Sequence, residues 1–405
     1  MTEVYLDNAA TTRVYREVAD FAVKLMCEDY GNPSSLHMKG LQAERYVKDA
    51  AAKLAKIMKV DAGEIIFTSG GTESSNMALI GGAMAGKRAG NHIITTRIEH
   101  PSVYNPVIFL ENMGFEVTWT PVDEHGRVRL DALKAAIRPD TILVSVMAVN
   151  NEIGTIEPLE DIARIIHEAN EKTLIHVDGV QAFGKIQFYP KKLGIDMLSV
   201  SGHKFHAPKG TGFLWVRNGV RVNPLMLGGG QQKDRRSGTD NVPGWAALGM
   251  AAEMEYTDFE AKIDRLYGLR DYFIDQVSRI DDVHINGGLK RGSFSLQEDP
   301  EAVAAPHIVS VSFANVRAEV LLHALEERGI YVSSGSACSS NHPAISGTLK
   351  AIGAGKPYLD ATIRFSFSFE TTKEEIDICI SALQELVPML RRYTPGGRKK
   401  GGRHV

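Results

Sequence analysis

The segment SGHKFHAPKG at 201–210 places a serine, two histidines and two lysines in ten positions, directly after an apolar run typical of a buried strand. Loops at the carboxyl ends of strands are where α/β sheets hold ligands. In a desolvated loop beside histidine, Lys204 can lose its proton, and its amine then becomes nucleophilic towards an aldehyde. Lys204 is therefore a candidate for imine formation. A solvated basic loop is the better interpretation of a lone lysine, so the neighbouring motifs decide.

Two residues about one strand–helix unit earlier suit an aromatic aldehyde cofactor such as pyridoxal 5'-phosphate (PLP). Asp178 ends the strand-like run TLIHVD, where its carboxylate can pair with a protonated ring nitrogen. Gln181 can donate a hydrogen bond to the ring hydroxyl. The alternatives are a helix cap for Asp178 and a surface amide for Gln181.

A glycine-rich turn, SGGTESSN at 69–76, provides a cradle for a phosphate. Its two glycines let the backbone approach closely, and Thr72 opens a helix whose first N–H groups and dipole favour an anion. Ser201, His203 and the RSGT run at 236–239 add further phosphate donors. Strand–Gly–Gly–helix turns also occur without a ligand, so this motif counts only together with the others.

Two more polar residues follow strand-like runs and are expected at the same edge of the sheet. His100 in IEHPSV can stack on a cofactor ring or move protons near neutral pH. Asn151 in VNNEIG can face the same cleft. The alternatives are a structural histidine and a turn residue.

The three cysteines, Cys27, Cys338 and Cys379, have no Cys-x-x-Cys spacing, which argues against a disulfide framework and a zinc knuckle. Cys338 lies in SSGSACSS, a run of small residues whose backbone can flex, and its thiolate is an attacking species once deprotonated. A buried inert cysteine is the usual alternative. The flanking serines and glycine favour a nucleophile.

The elements that must position these residues alternate between strands and helices. The pattern predicts strands at 64–69, 92–96, 116–121, 141–147, 173–178, 196–201 and 212–216, and helices at 40–58, 72–84, 131–137, 158–170 and 244–279. This order is typical of βαβ units. It predicts an α/β fold with a mostly parallel, seven-stranded sheet that is covered on both faces.

Near residue 280 the pattern changes to that of a smaller α+β domain. Strands at 307–313 and 361–368 flank helices near 316–328 and 373–392. We expect a large cofactor-binding domain over 16–260, and a small domain over 1–15 and 261–393 that carries the Cys338 loop. The Gly-rich basic tail over 394–405 is expected to be disordered.

Composition limits the classes of partner. Lys and Arg number 46 against 49 Asp and Glu, and the resulting net charge of −3 gives no chain-wide positive field for nucleic acid or anionic membrane. The N-terminal stretch has no apolar signal region, and no run is long enough to span a bilayer. A cytoplasmic protein without nucleic-acid or membrane partners is expected.

The motifs, taken together and in order, resemble fold-type I PLP enzymes of the class V aminotransferase superfamily, and within it cysteine desulfurases of the NifS/IscS type. The resemblance runs nearly end to end. Its motifs are YLDNAATT (5–12), GNPSS.H (31–37), FTSGGTESSN (67–76), EH (99–100), VNNEIG (149–154), HVDGVQAFGK (176–185), SGHKFHAPKG (201–210), GGGQQ..RRSGT (228–239), SSGSACSS (333–340) and IRFSFS (363–368).

The resemblance implies a role for each candidate residue. Lys204 carries PLP as a Schiff base, His100 lies over the ring and aids proton transfer, and Asp178 pairs with the ring nitrogen. Gln181 is implied to contact the ring oxygen. Arg364 and Asn151 are implied to bind the substrate carboxylate, and Asn151 also borders the cofactor. The phosphate is implied to be held by Gly71, Thr72, Ser201, His203 and, from the second subunit of a homodimer, Thr239. The planar fork of Arg364 suits a carboxylate.

The implied reaction removes sulfur from L-cysteine, releases L-alanine and leaves a persulfide on Cys338. A mobile loop then brings that sulfur to an acceptor protein for iron–sulfur cluster assembly or tRNA thiolation. No firm metal site is expected, although Cys338 could transiently ligate a nascent iron–sulfur cluster. The alternatives are a selenocysteine lyase or another PLP-dependent lyase or aminotransferase, and a catalytically idle partner of a sulfur-transfer complex.

Departures from the family pattern are few. Gly179 stands where alanine is expected, and Ala207 where glycine is common. The run after Cys338, with His342 and Pro343, is unusual and leaves the identity of the acceptor open.

Overall fold

The computed structural model describes residues 3–296, 301–334 and 346–392. The strands are β1 (Val4–Tyr5), β2 (Ile65–Thr68), β3 (His92–Thr96), β4 (Glu116–Thr120), β5 (Thr141–Met147), β6 (Leu174–Asp178), β7 (Met197–Ser201), β8 (Gly212–Val216), β9 (Val283–Asn286), β10 (Ile308–Phe313), β11 (Ile330–Tyr331), β12 (Ser333–Ser334) and β13 (Thr362–Ser366). The helices are α1 (Arg16–Cys27), α2 (Met38–Met58), α3 (Gly71–Asn76), α4 (Gly82–Gly86), α5 (Pro101–Asn112), α6 (Leu130–Ala136), α7 (Leu159–Ala169), α8 (Val242–Tyr256), α9 (Phe259–Val277), α10 (Ala318–Glu326), α11 (Gly347–Ala351), α12 (Lys356–Leu359) and α13 (Lys373–Arg391). A π-helical turn at Met77–Gly81 joins α3 to α4.

Within these ranges the larger sheet has seven strands in the order β2-β8-β7-β6-β5-β3-β4. Strands β3 to β7 pair in parallel, whereas β8 pairs antiparallel with both β7 and β2. Strands β5 and β7 are buried at every residue, as expected for apolar runs in a sheet covered on both faces. The predicted α/β class with a mostly parallel, seven-stranded sheet is confirmed.

The helices cover this sheet with regular apolar faces. In α7 the buried residues Leu159, Ile162, Ala163 and Ile166 recur at intervals of three and four, which places them on one side of the helix. Helix α1 has the same signal in Val18, Ala22 and Leu25, although it was not predicted from the sequence.

A second, antiparallel sheet has the order β12-β13-β10-β9 and packs with α9, α10 and α13 on a separate apolar core. The N-terminal residues Val4 and Leu6 belong to this core, and β1 pairs with β11. Because this core is separate from the two apolar clusters of the large sheet, it supports, as a proposal, the division into a large domain over 16–260 and a small domain over 1–15 and 261–393. Residues 394–405 lie outside the described ranges.

The predicted helix over 244–279 is wrong, because two helices occupy that stretch. The chain breaks after Tyr256, where Thr257 is extended and Asp258 has a left-handed backbone with φ of 52°. Buried residues of α8 such as Trp245 join the core of the large sheet, whereas those of α9 such as Phe273 join the core of the second sheet. Each half of the stretch packs on a different core, so the chain turns between them.

Strand β2 lies at one edge of the large sheet. The Gln232 side chain pairs with it as a neighbouring strand does: its Oε1 accepts from Phe67 N–H at 2.7 Å and its Nε2 donates to the Phe67 carbonyl at 2.9 Å. The side chain therefore satisfies both backbone groups of Phe67 that the sheet leaves open.

No helix of the described residues is long and apolar enough to cross a membrane.

Candidate active site

A cavity of about 480 Å³ opens where the parallel strands of the large sheet end. It is lined by every described candidate residue except Thr239, namely Gly71, Thr72, His100, Asn151, Asp178, Gln181, Ser201, His203, Lys204 and Arg364. Thr239 is exposed on the surface of the chain. Its implied role in the cavity of a second subunit stays a prediction.

Lys204 lies in a 3₁₀ turn that follows β7, and it is half-buried. Its Nζ donates to the carbonyl oxygens of Ala9 at 2.6 Å and Ala10 at 2.8 Å. The N-terminal segment is held against this loop, because Thr12 N–H donates to the His203 carbonyl at 2.8 Å. The Lys204 side chain therefore lines a cavity, and the alternative interpretation of a solvated basic loop is wrong.

Asp178 ends β6 and is buried, and burial raises the pKa of its carboxyl to about 6. The N–H of Val180, which donates to Asp178 Oδ1 at 3.0 Å, and the positive charge of Lys204 act in the opposite direction. Among the described residues, no helix begins directly after Asp178, so the helix-cap interpretation is wrong, and the contact with Val180 belongs to a turn. Asp178 also lines the cavity, and its pairing with a ring nitrogen stays a prediction.

Gln181 is 6% exposed, which makes the surface-amide interpretation wrong. Its Nε2 donates to the Ala9 carbonyl at 3.0 Å, and its Oε1 lies 3.2 Å from Nε2 of His307. His307 had no assigned role in the sequence. It begins the apolar run HIVSVSF, where a histidine is easily taken for the polar end of a strand.

The glycine-rich turn connects β2 to α3 and has no room for a side chain. A Cβ on Gly71 would lie 2.8 Å from Val180 Cγ2 and 3.4 Å from Ser201 Cβ. Glu73 fixes the turn from outside, since it accepts from Ser69 N–H at 2.7 Å and pairs with Arg236 at 2.8 Å. A side chain at residue 71 would therefore displace Val180, and with glycine the backbone lies directly beside Ser201.

His203 contacts the N-terminal segment. Its Nδ1 is 3.2 Å from Thr11 Oγ1. Burial, together with the charges of Lys204 and Lys209, lowers the pKa of His203 to about 4. At neutral pH it is an uncharged imidazole.

His100 caps the first turn of α5, because its Nδ1 accepts from Ser102 N–H at 3.1 Å. The same nitrogen lies 2.8 Å from Ser102 Oγ. Burial, and next the charges of Lys204 and Arg364, lower the pKa of His100 to about 4. The ring is thus neutral at neutral pH, and Ser102 is the partner that sets which nitrogen carries the proton.

Arg364 on β13 is 4% exposed and is held by two contacts that the sequence did not reveal. Its Nη1 donates to the Asn151 carbonyl at 2.7 Å, and its Nη2 donates to Asp7 Oδ1 at 3.0 Å. The ion pair with Asp7 links the N-terminal segment to the second sheet. Arg364 therefore presents an oriented guanidinium at the cavity.

Cys338 lies outside the described residues, as do His342 and Pro343. Ser333, which precedes that segment, lines the cavity. Ser346, which follows it, donates to Glu152 in VNNEIG at 2.5 Å, and Thr348 donates to the same carboxylate at 3.2 Å. The described residues on either side of 335–345 therefore contact the cavity, through Ser333, and the turn that contains Asn151 and Glu152, through Ser346 and Thr348.

The two described cysteines are of different kinds. Cys27 is exposed at the end of α1, whereas Cys379 is buried in the core of the second sheet. Burial raises the pKa of the Cys379 thiol far above its usual value, so this cysteine is inert.

The donor set fits PLP. An amine, a buried carboxylate, a backbone turn without space for a side chain and a hydroxyl from Ser201 converge on a cavity whose volume is in the range of small-molecule sites, about 300–1,000 Å³. These are the groups required for an aldehyde, a ring nitrogen and a phosphate.

Comparison with known proteins places the chain in a family. The profile described as Aminotransferase class-V matches residues 4–379. The chain belongs to the class-V aminotransferase family. Enzymes of this family are PLP-dependent, and the resemblance predicted from the motifs is confirmed.

Three relatives within the class-V aminotransferases match over nearly their whole length. A protein of Dictyoglomus turgidum named Cysteine desulfurase IscS is 43% identical over 394 residues, which cover 97% of this chain and 96% of the relative. A protein of the same name from Methanosarcina thermophila is 42% identical, with 97% and 94% covered. A solved structure titled NIFS-like protein is 38% identical with a TM-score of 0.87, and 96% of this chain and 100% of that chain are covered.

At the departure Gly179, a Cβ would lie 2.4 Å from Leu198 Cδ1, so an alanine at this position requires the end of the Leu198 side chain to move.

Proposed function

We propose that this chain is a PLP-dependent cysteine desulfurase, which takes sulfur from L-cysteine, releases L-alanine and carries the sulfur as a persulfide on Cys338. The observation that carries the proposal is the convergence of Lys204, Asp178 and Arg364 on one cavity. Relatives that bear this name match the chain over nearly its whole length.

PLP would be held by Lys204 through its amine, by Asp178 at the ring nitrogen and by Gln181 at the ring oxygen. Its phosphate would lie at Gly71, Thr72, Ser201 and His203, with Thr239 contributed by the second subunit of a homodimer. When bound, PLP withdraws electrons from the amino acid and makes the bond between Cβ and sulfur labile. A cationic ring nitrogen would also lower the pKa of Asp178 again and keep its carboxylate ionised.

His100 would move a proton at Nε2. In the structure Nδ1 accepts from Ser102 N–H, so the single proton of the neutral ring lies on Nε2. To accept a proton from the bound amino acid at Nε2, the ring would first move its own proton to Nδ1, which can donate to Ser102 Oγ at 2.8 Å in place of the hydrogen bond from Ser102 N–H. The low pKa of His100 keeps this base uncharged at neutral pH.

Arg364 and Asn151 would receive the substrate carboxylate. Asp7 and the Asn151 carbonyl already fix the guanidinium, so binding loses little side-chain entropy at this arginine. The carboxylate end of L-cysteine would thereby lie on the side of the cavity formed by the second sheet.

The Cys338 thiolate would attack the sulfur of the bound L-cysteine. A bond forms between the two sulfur atoms and the bond between Cβ and sulfur breaks, so the electron pair stays on carbon, which takes up a proton. The balance is enzyme thiol plus L-cysteine to enzyme persulfide plus L-alanine. The persulfide would then pass to an acceptor protein for iron–sulfur cluster assembly or tRNA thiolation, and transient ligation of a nascent cluster by Cys338 stays a prediction.

The test is mass spectrometry of the PLP-loaded enzyme after a short exposure to L-cysteine, with alanine measured in the same samples. We expect one added sulfur on the Cys338 peptide and an equal amount of alanine. C338A should lose both, whereas the matched variant C27A, which changes an exposed cysteine outside the cavity, should retain both. Equal alanine formation by C338A and wild type under reducing conditions would remove Cys338 from the mechanism.

The same assay addresses the alternatives. Faster turnover of L-selenocysteine than of L-cysteine would point to a selenocysteine lyase. Transamination without release of sulfur would point to an aminotransferase.

A further inference from the structure

A buried histidine that does not itself line the cavity contacts a residue that does. His307 is 2% exposed and lies directly before β10 of the second sheet. Its backbone is fixed, because Phe367 N–H donates to the His307 carbonyl at 2.9 Å. Its ring meets Gln181, which lines the cavity, at 3.2 Å between His307 Nε2 and Gln181 Oε1.

The orientation of the Gln181 amide is set by the Ala9 carbonyl. A carbonyl oxygen only accepts hydrogen bonds, so the amide atom 3.0 Å from it is the NH₂ group, and the amide oxygen faces His307. The same Ala9 oxygen accepts from Lys204 Nζ at 2.6 Å. A flipped amide would place two oxygens against each other at this point.

The amide orientation fixes the tautomer of His307. Because Gln181 Oε1 is an acceptor, His307 Nε2 must carry the proton. Nδ1 is then a lone pair, and it has no hydrogen-bond partner among the residues that the structure describes. Burial, and next the charges of Lys185, Arg364 and Lys204, lower the pKa of His307 well below its usual value, so the ring is neutral.

We propose that His307 is a positioning residue for the cofactor: its Nε2–H holds Gln181 Oε1, so that the Gln181 NH₂ group gives one hydrogen to Ala9 and its second hydrogen to the ring oxygen of PLP. The proposal rests on the proposed function, since it assigns a support to the cofactor contact of Gln181. Without His307 the amide oxygen is a buried acceptor that lacks its donor, and the amide is free to rotate.

The first test needs no cofactor. In ¹⁵N-labelled apoprotein, two-dimensional NMR of the histidine rings should show the Nε2–H tautomer for His307, with no titration between pH 5 and 8. The signal is assigned by its loss in H307Q. An Nδ1–H tautomer, or a titration in this range, would overturn the proposal whether or not the chain binds PLP.

The second test measures PLP binding to apoprotein variants. H307F removes the donor and keeps a ring, so PLP should bind about twofold to tenfold more weakly, as expected for the loss of one neutral hydrogen bond. H307Q places an amide N–H near the former Nε2 and should restore binding. The matched control H284F, at an exposed histidine on the neighbouring strand β9, should bind PLP like wild type.

The third test identifies the path of the effect. In the PLP-loaded protein, H307F and Q181A should shift the pH midpoint of the cofactor's visible absorbance band in the same direction, and the double variant should match Q181A. Additive shifts, or an H307F protein that binds and titrates like wild type, would contradict the proposal.

These experiments separate the two proposals. Failure of the wild type to bind PLP at all would overturn the proposed function, while the NMR experiment would still decide whether His307 donates to Gln181. Thermal unfolding of each variant shows whether it is folded, and if H307F does not fold, H307Q and the NMR experiment still give the answer.

Discussion

The loop after β7 contributes to two buried groups of ionisable side chains, two residues apart along the chain. On one side, Lys204 donates to the carbonyls of Ala9 and Ala10 and lines a cavity. On the other, His206 stacks on Tyr15 with ring centroids 4.2 Å apart, and its Nε2 lies 3.6 Å from Glu255. The second group has lysine, histidine and carboxylate as the first does, but its lysine and carboxylate pair with each other and line none of the cavity.

We call the group around Lys204 and Asp178 the open group, and the group around His206 and Glu255 the closed group. Lys185 is the third ionisable residue of the closed group. It is 3% exposed, its Nζ lies 3.5 Å from Glu255 Oε2, and it packs over the ring of Phe369 at 4.7 Å. In the open group the cation is held by neutral carbonyl oxygens, and the carboxylate of Asp178 faces a cavity. Buried ionisable residues alone therefore do not indicate a site: what distinguishes the two groups is the cavity beside the first one, which has space for a ligand.

The largest effect is expected at Lys204. Because K204A removes the amine that forms the covalent bond, alanine formation from L-cysteine should fall by on the order of 10⁴-fold or more, as for loss of a nucleophile in other enzymes. The matched variant K209A, at an exposed lysine of the same loop, should stay near wild type. Comparable activity of K204A and wild type would abolish the distinction between the open and closed groups.

H100Q should lower kcat by about 10²-fold to 10⁴-fold, the usual contribution of a proton-transfer group. The pKa of His100, lowered to about 4, means that its protonation alone reduces the wild-type rate only as the pH falls towards 4. Steady-state rates between pH 4 and 8 measure both the loss of kcat in H100Q and the pH at which the wild-type rate falls. H206Q, in the closed group, should alter stability and leave kcat nearly unchanged. The reverse pattern would mean that His206, and not His100, is the proton-transfer group.

K185M should destabilise the fold and leave the chemistry intact. Removing one partner of a buried ion pair leaves Glu255 without its cation, which typically costs about 3–5 kcal/mol of unfolding free energy. Urea unfolding measures this loss, and kcat per folded molecule should be close to wild type. K185M/E255Q should recover part of the loss, and a double variant no more stable than K185M would contradict the pairing.

Glu157 sharpens the comparison, because it is buried with neither a cavity nor an ion-pair partner in the described ranges. Its Oε2 accepts from Val128 N–H at 2.9 Å, and burial raises the pKa of its carboxyl to about 8. Between its usual pKa of 4.5 and about 8 the folded chain binds more protons than the unfolded chain, so this group lowers stability as the pH rises. E157Q should remove that decline. Between pH 4.5 and about 8, the free energy of unfolding of E157Q relative to wild type should rise by about 1.4 kcal/mol for each pH unit. Parallel stability curves for the two proteins from pH 5 to 8 would show that Glu157 is not protonated.

The strands were predictable to within one residue at most ends, because long apolar runs such as TILVSVM at 141–147 have few alternatives to a buried strand. The break between α8 and α9 could not be predicted, because nothing in the local sequence distinguishes one helix of 36 residues from two helices that pack on different cores. The proline-containing helix α5 was missed because Pro106 inside it disguises the helical pattern.

In the site, residues at strand ends could be predicted from their neighbours in sequence. Their partners could not: Ala9 and Ala10 act through backbone carbonyls, which no side-chain pattern reveals, and they lie about 195 residues from Lys204. Asp7 and His307 meet Arg364 and Gln181 only because the N-terminal segment and the second sheet close over the large one.

The Gln232 side chain has a consequence for how this protein behaves at high concentration. An exposed edge strand is a template on which another chain can add a strand and begin to aggregate. At the β2 edge, Gln232 occupies the donor and the acceptor of Phe67, and Arg235 donates to the Ile65 carbonyl at 3.4 Å. Two side chains of the chain itself thus occupy backbone groups with which an added strand would have to pair.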